Sequence, residues 1–103
     1  MRTSDTTGAL EELILRCTRE VGEREEVSLP DPLDSGTVLF GAGGIFDSLA
    51  LVDLVLEVEE AIEAEHGVVV TLADERAMSR STSPFRSVGS LAEYAGRLIE
   101  EGR

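Results

Sequence analysis

The stretch Leu39-Phe40-Gly41-Ala42-Gly43-Gly44-Ile45-Phe46-Asp47-Ser48-Leu49-Ala50-Leu51-Val52 decides how the chain is read. A Gly-rich turn runs directly into an apolar, acid-studded segment with helical spacing. Asp is a preferred N-cap because its carboxylate accepts hydrogen bonds from the free N–H groups of the first turn. Asp47 in that role puts Ser48 at the first helical position, with its hydroxyl at the mouth of the turn. Helix N-termini carry unpaired donors and the positive end of the dipole, so a phosphate is well tolerated there. The glycines keep side-chain bulk away from the hydroxyl. The stretch therefore presents a serine able to carry a phosphodiester, with no catalytic machinery of its own.

Working outward, the helix is expected from Ser48 to about Glu65. At ~100° per residue, Leu51, Leu54, Val55, Val58 and Ile62 share one side and form its core face. Leu49, Val52 and Leu56 fall elsewhere, interleaved with Asp53, Glu59, Glu60 and Glu63. Full burial of all eight apolar residues is one reading. Apolar residues among acids are more natural on a contact surface, and the docking face is the reading taken. His66-Gly67 ends the helix, Gly being the usual residue just past a C-terminus.

Before the turn, Leu10, Leu13, Ile14, Cys17 and Val21 follow the spacing of an amphipathic helix. Thr6 or Thr7 is its expected N-cap, residues 1–5 a frayed tail, and its end lies between Gly22 and Glu26. Residues 27–46 form a loop, broken by Pro30 and Pro32 and unusually long for a compact domain. Val38 to Phe40 are expected to pin it to the bundle. After Gly67, Val68 to Val70 reads as an extended apolar connection, because no second strand exists to pair with it. Thr71-x-x-Asp74 fits a capping box for a short helix through about Met78. A Ser-rich loop follows over 79–89, its polar part ending at Ser87. Ser90-x-x-Glu93 is a second capping box, opening a last helix with Leu91, Tyr94, Ala95, Leu98 and Ile99 inward.

Asp-Ser-Leu opening an acidic helix, with one helix and a long loop before it and a short and a final helix after it, resembles the acyl carrier protein family. The resemblance covers roughly residues 7 to 101. It implies an all-α fold: a four-helix bundle of three longer helices and one short one, with a long loop between helices 1 and 2. It implies that Ser48 bears a 4′-phosphopantetheine arm taken from coenzyme A. Asp47 would then also help the phosphopantetheinyl transferase engage. It implies that Leu49, Val52, Asp53, Leu56 and Glu60 meet basic surfaces of loading and acyl-transfer enzymes. Leu51, Val55, Val58 and Ile62 would line an interior able to receive a short acyl chain. Fatty-acid carriers commonly have a small residue before the Asp. The Gly-Gly-Ile-Phe-Asp-Ser-Leu run is closer to freestanding carriers of specialised pathways, including those that load amino acids.

Composition sets the outer bounds. With 103 residues the chain is read as one domain. Nine basic residues, all Arg, against 21 acids give a net charge of −12, which repels nucleic acid and anionic membrane and favours basic partners. No apolar run approaches the ~20 residues of a membrane span, and no signal peptide is recognisable. A cytoplasmic monomer is the expectation. Lone Cys17 lies on the apolar face of the first helix and reads as a small core residue. One His and one Cys do not make an ordinary zinc site. The absence of Lys excludes a P-loop, and Phe46 and Ala50 replace the glycines of a nucleophile elbow. The chain is therefore expected not to be an enzyme. The competing expectation is an acidic docking module with the carrier fold and no modification.

Overall fold

In a computed structural model, residues 2–30, 32–41, 43–72 and 84–101 are described, with side chains in the first helix from Gly8 onward. Three helices make the fold: α1 (Arg2–Arg24), α2 (Ser48–His66) and α3 (Val88–Glu101). Among the described residues there is no strand, only an isolated antiparallel bridge between Val38 and Ser87. The radius of gyration is 12.7 Å, close to the ~13 Å of a folded chain of about 100 residues. The protein is compact and all-helical.

Helix α1 packs against both α2 and α3. Its buried face is Leu10, Leu13, Ile14, Cys17 and Val21, as the spacing predicts. Thr18, not anticipated, is also fully buried; its hydroxyl donates to the Ile14 carbonyl at 2.7 Å, which removes the cost of burying it. The helix begins at Arg2, so neither Thr6 nor Thr7 is its cap, and residues 2–5 carry helical backbone. No Pro interrupts residues 2–7, and extending an existing helix costs little compared with nucleating one. At the other end, Val27 N–H reaches the Gly22 carbonyl at 2.8 Å and Glu26 takes φ 58°. This is a left-handed terminating turn with a Glu where Gly is usual.

The 27–46 loop is pinned more thoroughly than its length suggests. Leu39 N–H donates to the Arg86 carbonyl at 2.6 Å, Val88 N–H to Thr37 at 3.1 Å, and Gly89 N–H to Ser35 at 2.8 Å. The loop then folds on itself through Ile45 N–H to Val38 (3.1 Å) and Phe46 N–H to Leu39 (2.9 Å). Leu39 and Phe46 are buried, while Val38 and Phe40 are half-buried. The expected anchor over Val38 to Phe40 is present, and Phe46 is a second anchor that the sequence reading missed.

Helix α3 opens three residues earlier than expected. Its cap is Ser87, not Ser90: Ser90 N–H donates to Ser87 Oγ at 3.2 Å, and Ser87 N–H donates to Ser90 Oγ at 3.1 Å. Ser90 thus fills the reciprocal position that Glu93 was expected to fill one turn later. The earlier start brings Val88 onto the buried face beside Leu91, Tyr94, Ala95 and Ile99. It also places Val88 and Gly89 inside the helix instead of the Ser-rich loop. Leu98 is half-buried against the core. Pro84 and Phe85 form a buried turn before the helix. The expected short helix from Thr71 to Met78 and the Ser79 to Thr82 part of the loop fall mainly on residues 73–83, outside the described residues; Thr71 itself is exposed and Leu72 buried.

Candidate functional site

Asp47 is the N-cap of α2. Its backbone is extended, and Oδ1 accepts the Ala50 N–H at 2.9 Å. The first backbone bond into the helix runs from Leu51 N–H to the Asp47 carbonyl at 2.9 Å. The N–H groups of Ser48 and Leu49 lie ahead of that bond, at the positive end of the helix dipole. Ser48 is exposed beside them.

The loop fixes where this serine stands. Gly44 N–H donates to the Gly41 carbonyl at 2.9 Å, and a Cβ on Gly44 would lie 2.7 Å from Phe40 Cα. Only glycine permits that backbone approach. Buried Phe46 then anchors the residue immediately before the cap. The serine is held from both sides, by a pinned turn and a capped helix.

Along α2, Ala50, Leu51, Leu54, Val55, Val58 and Ile62 are buried. Leu49, Val52 and Leu56 are 80%, 55% and 52% exposed. The alternative in which all eight apolar positions are core is therefore excluded, and the expected split into two faces is observed. Asp53 is half-buried beside the exposed stripe. Glu60 is exposed farther along, lining an open groove of about 280 Å³ between α1 and α2 with Arg16, Cys17, Glu20, Glu57, Ala61 and Glu65. On the other flank, Glu59 accepts the Leu72 N–H at 2.7 Å, and Val69 is 75% exposed. The Glu59–Leu72 link had no signal in the local sequence. Gly67 closes the helix in the left-handed conformation, φ 69°, its N–H on the Glu63 carbonyl.

The α1–α2 seam is electrostatically crowded. Arg16 pairs with Glu65, and Arg24 lies 3.4 Å from Glu57. Glu20 is nevertheless held above the usual carboxylate range, chiefly by a carboxyl–carboxyl hydrogen bond with Glu57. Glu25 is raised in the same way by its hydrogen bond with Asp53, and more weakly by Asp47. Two carboxyls that face each other retain a proton more readily than either alone. Burial, with nearby Glu57 and Glu20, pushes the Cys17 thiol up to about 12. Its thiolate is suppressed at neutral pH, which fits a packing residue and not a nucleophile.

Among the described residues no group of His, Cys, Asp and Glu could hold a metal ion, and no helix is long and apolar enough to cross a membrane. No protein-family model matches the chain, and no curated protein or solved structure is significantly similar to it.

Proposed function

We propose that this protein is a carrier whose Ser48 accepts 4′-phosphopantetheine from coenzyme A and tethers acyl or aminoacyl groups as thioesters. The observation that carries this reading is the exposed Ser48 at the first position of a helix capped by Asp47, held by the pinned turn before it. A partner transferase supplies the catalysis. The Ser48 oxygen forms a new bond to phosphorus, the pyrophosphate of coenzyme A breaks, and the nucleotide leaves. The chain itself is not an enzyme. Its contribution is presentation, and the arm raises the effective concentration of the cargo at each enzyme visited.

The bundle in this proposal has four helices. Helix α1 separates α2 from α3, and Val70 and Leu72 are buried as the chain leaves α2. The Thr71-x-x-Asp74 capping box supplies the fourth, short helix. Leu49, Val52, Asp53, Leu56 and Glu60 form the docking surface for the transferase and for adenylating or acyl-transferring enzymes with basic surfaces. Leu51, Val55, Val58 and Ile62 are tightly buried, so an acyl chain that enters between them must part packed side chains. The protein works as a cytoplasmic monomer in a specialised biosynthetic route.

Transfer of a fluorescent coenzyme A analogue by a promiscuous phosphopantetheinyl transferase tests this on a gel. Wild type should become fluorescent and Ser48→Ala should not. Equal labelling of both would move the attachment away from Ser48. Labelling of neither would leave the acidic surface as a docking module without an arm.

A further inference from the structure

The first turn of α3 is capped in part by the loop that leads to Ser48. Helices leave their first N–H groups without partners of their own. Here Ser87 and Ser90 satisfy two of them with each other's hydroxyls. The next two go to the loop: Val88 N–H donates to the Thr37 carbonyl at 3.1 Å and Gly89 N–H to the Ser35 carbonyl at 2.8 Å. A closed turn offers those carbonyls. Asp34 Oδ1 accepts the Gly36 N–H, the Asp34 carbonyl accepts the Thr37 N–H, and buried Thr37 returns the contact by accepting the Asp34 N–H on Oγ1 at 2.9 Å. A Cβ on Gly89 would lie 3.0 Å from the Ser35 oxygen, so glycine permits the close seat.

Leu39 carries the connection onward. Its N–H donates to the Arg86 carbonyl at 2.6 Å, and its own carbonyl accepts the Phe46 N–H at 2.9 Å, one residue before the Asp47 cap. Among the described residues, every backbone hydrogen bond that ties 35–40 to a segment outside the 27–46 loop goes to 86–89. Leu39, Phe46 and Val88 also share one buried cluster. Resting on the carrier reading only for what Ser48 does, we infer that the amino end of α3 is a latch for the turn that presents Ser48: segments 35–39, 45–46 and 86–89 open and close as one unit. Proteins open locally in contiguous hydrogen-bonded units of this kind. Freeing the Ser35 and Thr37 carbonyls from α3 leaves Leu39 held on one side only, so whatever loosens the start of α3 loosens the turn before Ser48. The Asp47 cap is local to α2 and survives the opening; what is lost is the seat of the turn.

The test is amide hydrogen exchange followed by NMR on wild type, Val88→Pro and Thr37→Ala. Proline suits the first position of a helix but has no N–H, so Val88→Pro deletes the bond to Thr37 from the α3 side. Thr37→Ala removes the Oγ1 that closes the loop's turn, and it makes the same test should Val88→Pro not fold. In wild type, Leu39, Ile45, Phe46 and Gly89 should share one opening constant within about twofold, with less protection than core amides such as Leu13 and Leu54. Either variant should speed exchange at Ile45 and Phe46 about two- to tenfold, the effect of losing one ordinary hydrogen bond, and by the same factor as at Gly89. Val27, whose N–H bonds locally to Gly22 at the end of α1, should not change. If Gly89 speeds up while Ile45 and Phe46 do not, or if Ile45 and Phe46 open in wild type only with Leu13, the latch is overturned. Intact mass after incubation with a promiscuous phosphopantetheinyl transferase and coenzyme A reads the carrier reading separately. Modified wild type with unmatched exchange overturns the latch alone; matched exchange with unmodified wild type overturns the carrier reading and leaves the latch standing.

Discussion

Replacing Gly44 by Ala should disturb the fold and the serine together. The added Cβ would lie 2.7–2.8 Å from three backbone atoms of Phe40, a separation that carbon and nitrogen atoms do not tolerate. No flexible side chain can move aside, so the turn itself must open. That strains the Gly44 N–H to Gly41 bond and the Ile45 N–H to Val38 bond that close it. Overpacking of this kind costs about 1–3 kcal/mol, and each kcal/mol lowers the Tm of a domain of this size by about 4–8 °C. The assay is thermal unfolding followed by helical circular dichroism, with Gly8→Ala as the control. A Cβ at Gly8, inside α1, meets nothing within 4 Å, so that substitution should stabilise by roughly 0.5–1 kcal/mol. The rate of Ser48 modification should fall for Gly44→Ala and not for Gly8→Ala. If Gly44→Ala leaves Tm and rate unchanged, the argument that this turn holds the serine is refuted.

Glu26→Gly should stabilise the fold by about 0.5–1 kcal/mol, since Glu26 holds φ 58° where glycine is unstrained; a fall in urea midpoint would contradict the assignment. Leu54→Ala should cost about 2–5 kcal/mol, whereas Leu49→Ala should stay within about 0.5 kcal/mol, because one side chain is fully buried and the other is 80% exposed. Equal losses in denaturant unfolding would dissolve the two-face reading of α2. The pH response should run opposite to that of a salt-bridged protein. Glu20 and Glu25 are raised in the folded state above their ordinary value of 4.5, so folding takes up protons. Their repulsion weakens stability above the raised values, and relief appears as pH falls through them toward 4.5. Tm should therefore rise as pH is lowered from neutrality toward 4.5, and Glu20→Gln with Glu25→Gln should flatten the rise. A steeper loss on acidification would show that the Arg16–Glu65 and Arg24–Glu57 pairs dominate the seam instead.

Much of this was legible in the chain because the deciding signals are local. Asp47 and Gly67 bracket α2 through hydrogen bonds to their own neighbours, and its two faces follow from helical spacing alone. The cap of α3 was misplaced because Ser87 and Ser90 each stand at a capping-box spacing; burial of Val88 favours the earlier start. The start of α1 was misplaced because a Thr resembles a cap even where the helix continues through it. Phe46 and Thr18 went unrecognised for different reasons. One is buried by a loop that folds against α3, and the other hides its hydroxyl on its own helix. Local chemistry therefore placed the exposed Ser48 at the start of α2, and only tertiary packing showed how the turn before it is held.

The most direct measurement is the intact mass of the protein after incubation with a promiscuous phosphopantetheinyl transferase and coenzyme A, followed by fragmentation to locate any added group. The carrier account predicts the gain of one phosphopantetheine, placed on Ser48 and lost in Ser48→Ala. An unchanged mass in folded wild type, or a group placed on another residue, would contradict it.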